Sequence, residues 1–101
     1  MEKNSSFKVA LVINGDTIKV SPNWVWGNST GNVVRVIGYS ISTDVEAEWG
    51  KGKLEKLLSG ESVELKNPAM RNMELCCEVY LNDVNIARYF PELQRKNKKN
   101  A

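Results

Sequence analysis

The chain has 101 residues, with no histidine and only two cysteines. Without histidine it lacks both the usual general base near neutral pH and the commonest zinc ligand. The cysteines, Cys76 and Cys77, are adjacent, so on a strand they point to opposite faces and cannot form an ordinary disulfide with each other. We interpret them as reduced, partly buried small hydrophobic residues, which suits a cytoplasmic protein.

Long apolar runs are also missing. The run from Phe7 to Ile13 is interrupted by Lys8 and is too short for a signal peptide or a membrane span. We therefore expect a cytoplasmic chain with no membrane partner. The composition, 42% hydrophobic and 26% charged, is that of an ordinary globular protein, and the length predicts one domain.

The net positive charge of the chain comes from its last seven residues. The formal net charge is +2, and four basic residues fall in the last seven positions: Arg95, Lys96, Lys98 and Lys99. Residues 1–94 then carry 10 basic and 12 acidic side chains, a slightly acidic body that attracts polyphosphate only weakly. We expect a flexible arm over 1–6, a domain over 7–91 and a basic, disordered tail over 92–101.

The first half of the domain is predicted to be β-structure. Alternating apolar residues predict a strand over 7–13, a turn at Asn14-Gly15-Asp16 and a return strand from Thr17. Pro22 is expected to break the ladder or force a bulge, and 27–32 to form a flexible loop. A third strand is predicted over 33–37.

The second half is predicted to combine helices and strands. Thr43 and Glu46 form a capping box that starts a helix over about 44–59, ended by Gly60. Strands are expected over 62–66 and 74–81, a loop over 68–73, and a second helix over 84–90 that Pro91 stops. This order predicts a mainly β protein with two helices (α+β), built on a small five-stranded barrel of the oligonucleotide-binding (OB) type.

Several segments, in order, resemble a staphylococcal-nuclease-like (SNase-like, thermonuclease) domain. The segment Val12–Val20 resembles the opening hairpin of that family, and Arg35-Val36-Ile37-Gly38 resembles its Arg-Leu-x-Gly strand. The segments 49–66 and 78–85 resemble its first helix with the following strand, and its last strand. In the enzymes of the family, two carboxylates and a carbonyl hold calcium, a glutamate activates water, and two arginines stabilise the charge on phosphate.

The resemblance carries over poorly to the catalytic positions. Asp16 matches one metal carboxylate and Arg35 one phosphate-binding arginine. The second carboxylate is replaced by Ser40, the glutamate by Thr43, and the second arginine by Glu74. One carboxylate with neutral oxygens gives weak calcium binding at best, and Glu74 would repel phosphate. We therefore expect no catalytic residues, only the remnants Asp16 and Arg35, and no bound metal, with Asp16 as the weak candidate ligand.

Each remnant has a structural alternative. Asp16 is interpreted chiefly as a turn residue that binds neighbouring backbone amides. Arg35 binds phosphate or a partner, or else pairs with Asp16 or Glu74 across the barrel. Arg71, three residues before Glu74, is a further candidate for binding, and catalysis rescued by Arg71, Asp44 or Glu46 is disfavoured.

The aromatic and basic residues give further candidates for binding. Trp24 and Trp26 are two residues apart, so on a regular strand they share a face. Three roles are open for the pair: stacking on bases, covering the barrel end, or contacting a protein partner. Lys96, Lys98 and Lys99 in the tail are candidates for contact with nucleic acid. Trp49, on the apolar side of the first helix, is expected in the core.

The function that we expect from the sequence is a non-catalytic, nuclease-like binding module without a cofactor. Its partner would be a protein, including a second copy of the chain, or a single-stranded nucleic acid. The alternative is a residual nuclease acting on DNA or RNA, and only that alternative requires calcium.

Overall fold

A computed structural model describes residues 6–94 of the chain. Its strands are β1 (Ser6–Asn14), β2 (Thr17–Trp26), β3 (Ser29–Val36), β4 (Ser62–Arg71), β5 (Glu74–Leu81) and β6 (Val84–Asn85). One α-helix, α1 (Asp44–Leu58), lies between β3 and β4, and two 3₁₀ turns (Ile86–Tyr89 and Pro91–Leu93) follow β6. In this described part, no helix has the length and apolar character needed to cross a membrane.

The first five strands form a closed barrel. The sheet order is β3-β2-β1-β4-β5-β6, and a parallel pairing of β3 with β5 joins its ends. The closing contact aligns Val34 with Leu75, Arg35 with Cys76, and Val36 with Cys77. The predicted small β-barrel is therefore confirmed, and the closure places Arg35 beside the start of β5.

The core follows the period-two alternation of the strands. On β1, Phe7 and Val9 are buried and alternate with exposed neighbours, and a register shift between Val9 and Leu11 makes Val12 the next buried residue. Leu54 and Leu58 of α1 are fully buried and cover the barrel. Leu93 is also buried, so the packed part of the chain extends to the second 3₁₀ turn.

The two prolines within the sheet coincide with irregular pairing. The ladder between β2 and β3 is interrupted between Lys19 and Trp24, as expected at Pro22. At Pro68 the prediction was wrong, because β4 continues to Arg71 instead of ending before a loop over 68–73. A register shift between Lys66 and Ala69 takes proline, which has no N–H, out of the ladder.

The predicted loop over 27–32 and the second helix were also wrong. The residues from Ser29 onward pair with β2, because the turn contracts to two residues with Gly27 at φ +61°. The segment 84–90 contains a short strand and a 3₁₀ turn instead of an α-helix. Asn85 begins the 3₁₀ turn by accepting a hydrogen bond from Ala87 N, and Phe90 N donates to the Ala87 carbonyl three residues back, the bonding of a 3₁₀ turn.

Helix α1 starts and packs largely as its sequence predicts. The Thr43 hydroxyl accepts a hydrogen bond from Glu46 N at 3.0 Å, although the Glu46 carboxylate binds Ser42 N instead of Thr43 N. A Cβ on Gly50 would lie 3.3 Å from the Gly15 backbone, so this glycine permits a close approach of the helix to the β1–β2 turn. Trp49 was predicted in the core, yet 42% of it is exposed.

Candidate functional site

The site begins at the tight turn between β1 and β2. The Asn14 carboxamide accepts a hydrogen bond from the backbone N–H of the next residue, Gly15, at 2.6 Å. A Cβ on Gly15 would lie 2.9 Å from the carbonyl oxygen of Ala47 in α1. The turn is therefore fixed against the helix, and Asp16, its second residue, is held at a defined position.

Arg35 connects two carboxylates in this site. Asp16 is buried, and its carboxylate accepts hydrogen bonds from the Thr17 hydroxyl at 3.0 Å and from Arg35 Nε at 3.4 Å. The other end of the Arg35 guanidinium donates to the Glu74 carboxylate at 3.1 Å. Of the two interpretations of Arg35, pairing across the barrel is the arrangement observed.

The neighbouring carboxylates stabilise the charged form of Arg35. The nearby Asp16 carboxylate raises the pKa of Arg35 above its ordinary value, and Glu74 adds to this effect, while burial opposes it. The guanidinium is therefore charged throughout the accessible pH range. A phosphate or carboxylate of a ligand would have to compete with Asp16 and Glu74 for the same donors.

Tyr39 is a site residue that the sequence analysis did not identify. Its buried hydroxyl donates to the Gly15 carbonyl oxygen at 2.8 Å, and its ring stacks on Phe90 at 4.3 Å between centroids. Burial raises the pKa of Tyr39 well above its ordinary range, and the charge of Asp16 adds to the shift. The phenol is therefore a neutral hydrogen-bond donor that ties the turn to the segment after β3. The only sequence signal was an aromatic residue directly after Gly38.

An open pocket of about 800 Å³ brings together five of the residues that the sequence analysis singled out. The predicted residues that line it are Asp16, Arg35, Ser40, Arg71 and Glu74. Tyr39, Cys76 and Gln94 also contribute to its wall. Thr43 has a different role, since its hydroxyl caps α1. The pocket thus contains two acidic and two basic side chains, and its charges balance.

The donor set does not fit a calcium ion. Calcium takes six to eight oxygen ligands, and its affinity rises with the number of charged ones. Asp16 already binds Arg35 and Thr17, and Glu74 binds the far end of the same guanidinium. Among residues 6–94, no three histidine, cysteine, aspartate or glutamate side chains are grouped closely enough to hold a metal.

The tryptophans predicted to act together have different environments. Trp24 is 7% exposed, donates from Nε1 to the Val33 carbonyl at 2.9 Å, and packs where Gly31 has no side chain. Trp26, at the end of the β2–β3 hairpin, is 41% exposed. Of this pair, only Trp26 offers an open ring face. The predicted contacts of Lys96, Lys98 and Lys99 lie outside the described residues.

Comparison of the chain with protein-family models, with curated proteins and with solved structures finds no match in any of the three. The resemblance to SNase-like domains consequently stays a prediction from sequence motifs.

Proposed function

We propose that this chain is a non-catalytic binding module, built on a barrel similar to that of SNase-like nucleases and recognising a protein partner. The observation that supports this function best is the Asp16–Arg35–Glu74 chain of ion pairs. In this chain of ion pairs, Asp16 and Arg35 bind protein side chains. The family resemblance assigns these two residues to metal and phosphate.

The replaced positions argue against hydrolysis of a phosphodiester. Ser40 is uncharged and Glu74 is negative at positions where the enzymes carry a metal ligand and an arginine. Arg71 lies in the same pocket and supplies a second positive charge, but Glu74 lies there too. Developing negative charge in a transition state needs fixed cations that are not already neutralised.

A protein partner is favoured over nucleic acid for two reasons. Trp24 is enclosed by its own hairpin, which leaves Trp26 without a neighbouring ring for successive bases. The pocket is electrically balanced, and residues 1–94 are slightly acidic, so long-range attraction of a polyanion is weak. Protein surfaces, by contrast, are commonly bound through exposed aromatic and arginine side chains.

Cleavage assays test the absence of catalysis. The full chain would be incubated with labelled single-stranded DNA or RNA in millimolar calcium, beside the Asp16→Ala and Arg35→Ala variants. We expect the three proteins to give the same background signal. Cleavage that EDTA stops and that Asp16→Ala abolishes would establish the alternative, a calcium-dependent nuclease.

Oligonucleotide titrations test the choice of partner. Tryptophan fluorescence would be followed at two salt concentrations, with Trp26→Phe and a variant carrying alanine at Lys96, Lys98 and Lys99. We expect at most weak, salt-sensitive binding that depends on the tail lysines. Tight binding that depends on Trp26 and survives high salt would contradict a protein partner as the main ligand.

A further inference from the structure

The face of α1 that points away from the barrel has an unusual composition. Six positions spaced i, i+3, i+4, i+7, i+8 and i+11 share this face. They are Val45, Glu48, Trp49, Gly52, Lys53 and Lys56. We call this set the outer helix face. It is separate from the pocket of Asp16 and Arg35.

Apolar side chains are exposed on the outer helix face. Val45 is 78% exposed and Trp49 is 42% exposed. The Trp49 ring packs edge-on against Phe90, and Lys53 Nζ lies 4.9 Å from the centre of the indole ring, so the tryptophan is held in a fixed position. A groove of about 480 Å³ runs beside it, lined by Glu48, Gly52, Lys53 and Lys56.

Gly52 has no role in the packing of its own chain. A Cβ at this position would have no side chain beyond its two chain neighbours, and no backbone outside the helix, within 4 Å, whereas one on Gly50 would meet the β1–β2 turn. Glycine inside a helix is unfavourable, because it increases the entropy lost on folding. Its position next to Trp49 leaves a notch in the helix surface that would accept a bulky side chain.

The charges of the outer helix face are divided between its two halves. The first half carries Glu48, and the second carries Lys56 and Lys53, which also pairs with Glu92 at 3.9 Å. An antiparallel pair of identical helices therefore places each acidic half beside a basic half. The helix dipoles also oppose each other in that orientation.

We propose that the partner is a second copy of this chain, and that two outer helix faces pack antiparallel about a two-fold axis. This inference rests on the proposed function, since it names the protein partner. The two-fold axis passes the helix at the midpoint between residues 50 and 51. In this arrangement, Trp49 of each subunit lies opposite the Gly52 notch of the other. Val45 lies opposite Lys56, whose aliphatic stem covers it. The interface is thus self-complementary, as two-fold symmetry requires.

The size of this contact predicts a weak dimer. A helix of 15 residues is about 22 Å long, so the contact belongs to the small end of specific interfaces. We expect a dissociation constant in the micromolar range. Sedimentation of the full chain from about 5 to about 500 μM covers that range.

Filling the notch is the first test. Gly52→Gln adds a good helix-forming residue where the single chain has free space, and the matched control Glu55→Gln changes an exposed residue of the same helix outside the groove. We expect Gly52→Gln to weaken dimerisation at least ten-fold without lowering the thermal midpoint measured at low concentration, and Glu55→Gln not to weaken it. A Gly52→Gln variant that dimerises like the parent chain would overturn the proposal.

Cross-linking tests the antiparallel orientation. Val45→Cys and Lys56→Cys variants would be treated with a short bis-maleimide, alone and mixed, with the buried Cys76 and Cys77 giving the background in all samples. We expect a strong dimer band only in the mixture, because the two copies of residue 45 lie about 16 Å apart along the axis. A band of equal strength from Val45→Cys alone would contradict the orientation.

The outcomes separate this inference from the proposed function. A chain that sediments as a monomer throughout the concentration range would refute self-association, while the cleavage assay would still decide whether the module is catalytic. Calcium-dependent cleavage by a chain that dimerises through α1 would refute the proposed function and leave the interface standing.

Discussion

At the scale of single residues, Arg35 shows how a potential ligand-binding group becomes a structural one. Its guanidinium bridges the carboxylate of Asp16, in the β1–β2 turn, and that of Glu74, at the start of β5. About half of the side chain is exposed, as is that of Glu74, so solvent screens this pair and its contribution to stability is at most about 1 kcal/mol. The pairs orient the pocket more than they stabilise the barrel.

The hydroxyl of Tyr39 gives a testable prediction for stability. Tyr39→Phe leaves the Gly15 carbonyl without its buried donor, and we expect the free energy of unfolding in urea to fall by about 1 kcal/mol. Tyr80→Phe is the control, because its hydroxyl makes a longer, 3.3 Å contact with the half-buried Glu78 side chain. Equal effects of the two substitutions would remove the special role of Tyr39.

The thiol of Cys77 gives a prediction for pH dependence. Burial, assisted by Cys76 and Glu78, raises the pKa of Cys77 from 9.0 to about 12. As the pH rises, the unfolded chain loses this proton before the folded chain does. The contribution of the buried thiol to the free energy of unfolding is therefore fully present well below pH 9 and is lost as the pH rises toward 12.

We expect unfolding free energies from urea titrations to decrease by about 1 kcal/mol between about pH 8 and 9.5 because of this thiol. In Cys77→Ala that part of the decrease should be absent, whatever the substitution does to stability at neutral pH. The same slope in both proteins would contradict the role of the buried thiol.

At the scale of elements, the β1–β2 turn and α1 position the site together. The two glycines that face each other, Gly15 and Gly50, allow the helix to approach the turn at backbone distance. Glycine is unfavourable inside a helix, and at Gly50 the packing requires it, whereas at Gly52 it does not. The sequence could not indicate which of the two glycines lies against another backbone, since that depends on how the helix crosses the barrel.

The close contact at Gly15 predicts a large local effect. Gly15→Ala places a methyl group 2.9 Å from the Ala47 carbonyl oxygen, and backbone atoms must move to accommodate it. We expect a loss of about 1–3 kcal/mol in unfolding free energy, measured by urea denaturation. The matched change Gly52→Ala, with free space around its Cβ, is expected to stabilise the monomer by about 1 kcal/mol. Similar values for both would refute the tight turn–helix contact.

The two loops that were predicted wrongly share one cause. The segments around Pro68 and over 29–32 read as loops because proline, asparagine and glycine favour turns locally. In the barrel both segments pair with a neighbouring strand, and a register shift at Asn67–Pro68 absorbs the proline. Tertiary pairing thus overrides local preference at these positions, as it commonly does for strands.

At the scale of the whole molecule, barrel closure assembles the pocket. Asp16, Arg35 and Glu74 are far apart in sequence, and the parallel pairing of β3 with β5 brings the last two together. Arg71 joins them because β4 continues past Pro68 to the turn before β5. The same closure places Arg35 beside the Glu74 carboxylate, so a ligand would have to compete for its guanidinium.

Because Asp16 and Glu74 already pair with Arg35, we predict that calcium does not raise the melting temperature specifically. A site with a dissociation constant of about 0.1 mM would add about 2.7 kcal/mol in about 10 mM calcium and raise the melting temperature by several degrees. We expect calcium to shift the melting temperature no more than magnesium at the same ionic strength, and equally in the parent chain and in Asp16→Asn. A calcium-specific rise that Asp16→Asn removes would show that the pocket holds the ion.

The sequence alone determined the β-rich class, the helix cap at Thr43 and the interruption of the ladder at Pro22, whereas the charged residues near the site were singled out only through the resemblance to SNase-like domains. The first three follow from local properties, namely alternation, hydrogen bonding by short polar side chains, and the missing N–H of proline. Tertiary structure alone decided that Arg35 pairs with both carboxylates, that Trp24 is enclosed, and that Gly52 and Trp49 remain on the surface. Those outcomes depend on which side chains the closed barrel brings within contact distance, and residues distant in sequence carry no local record of that proximity.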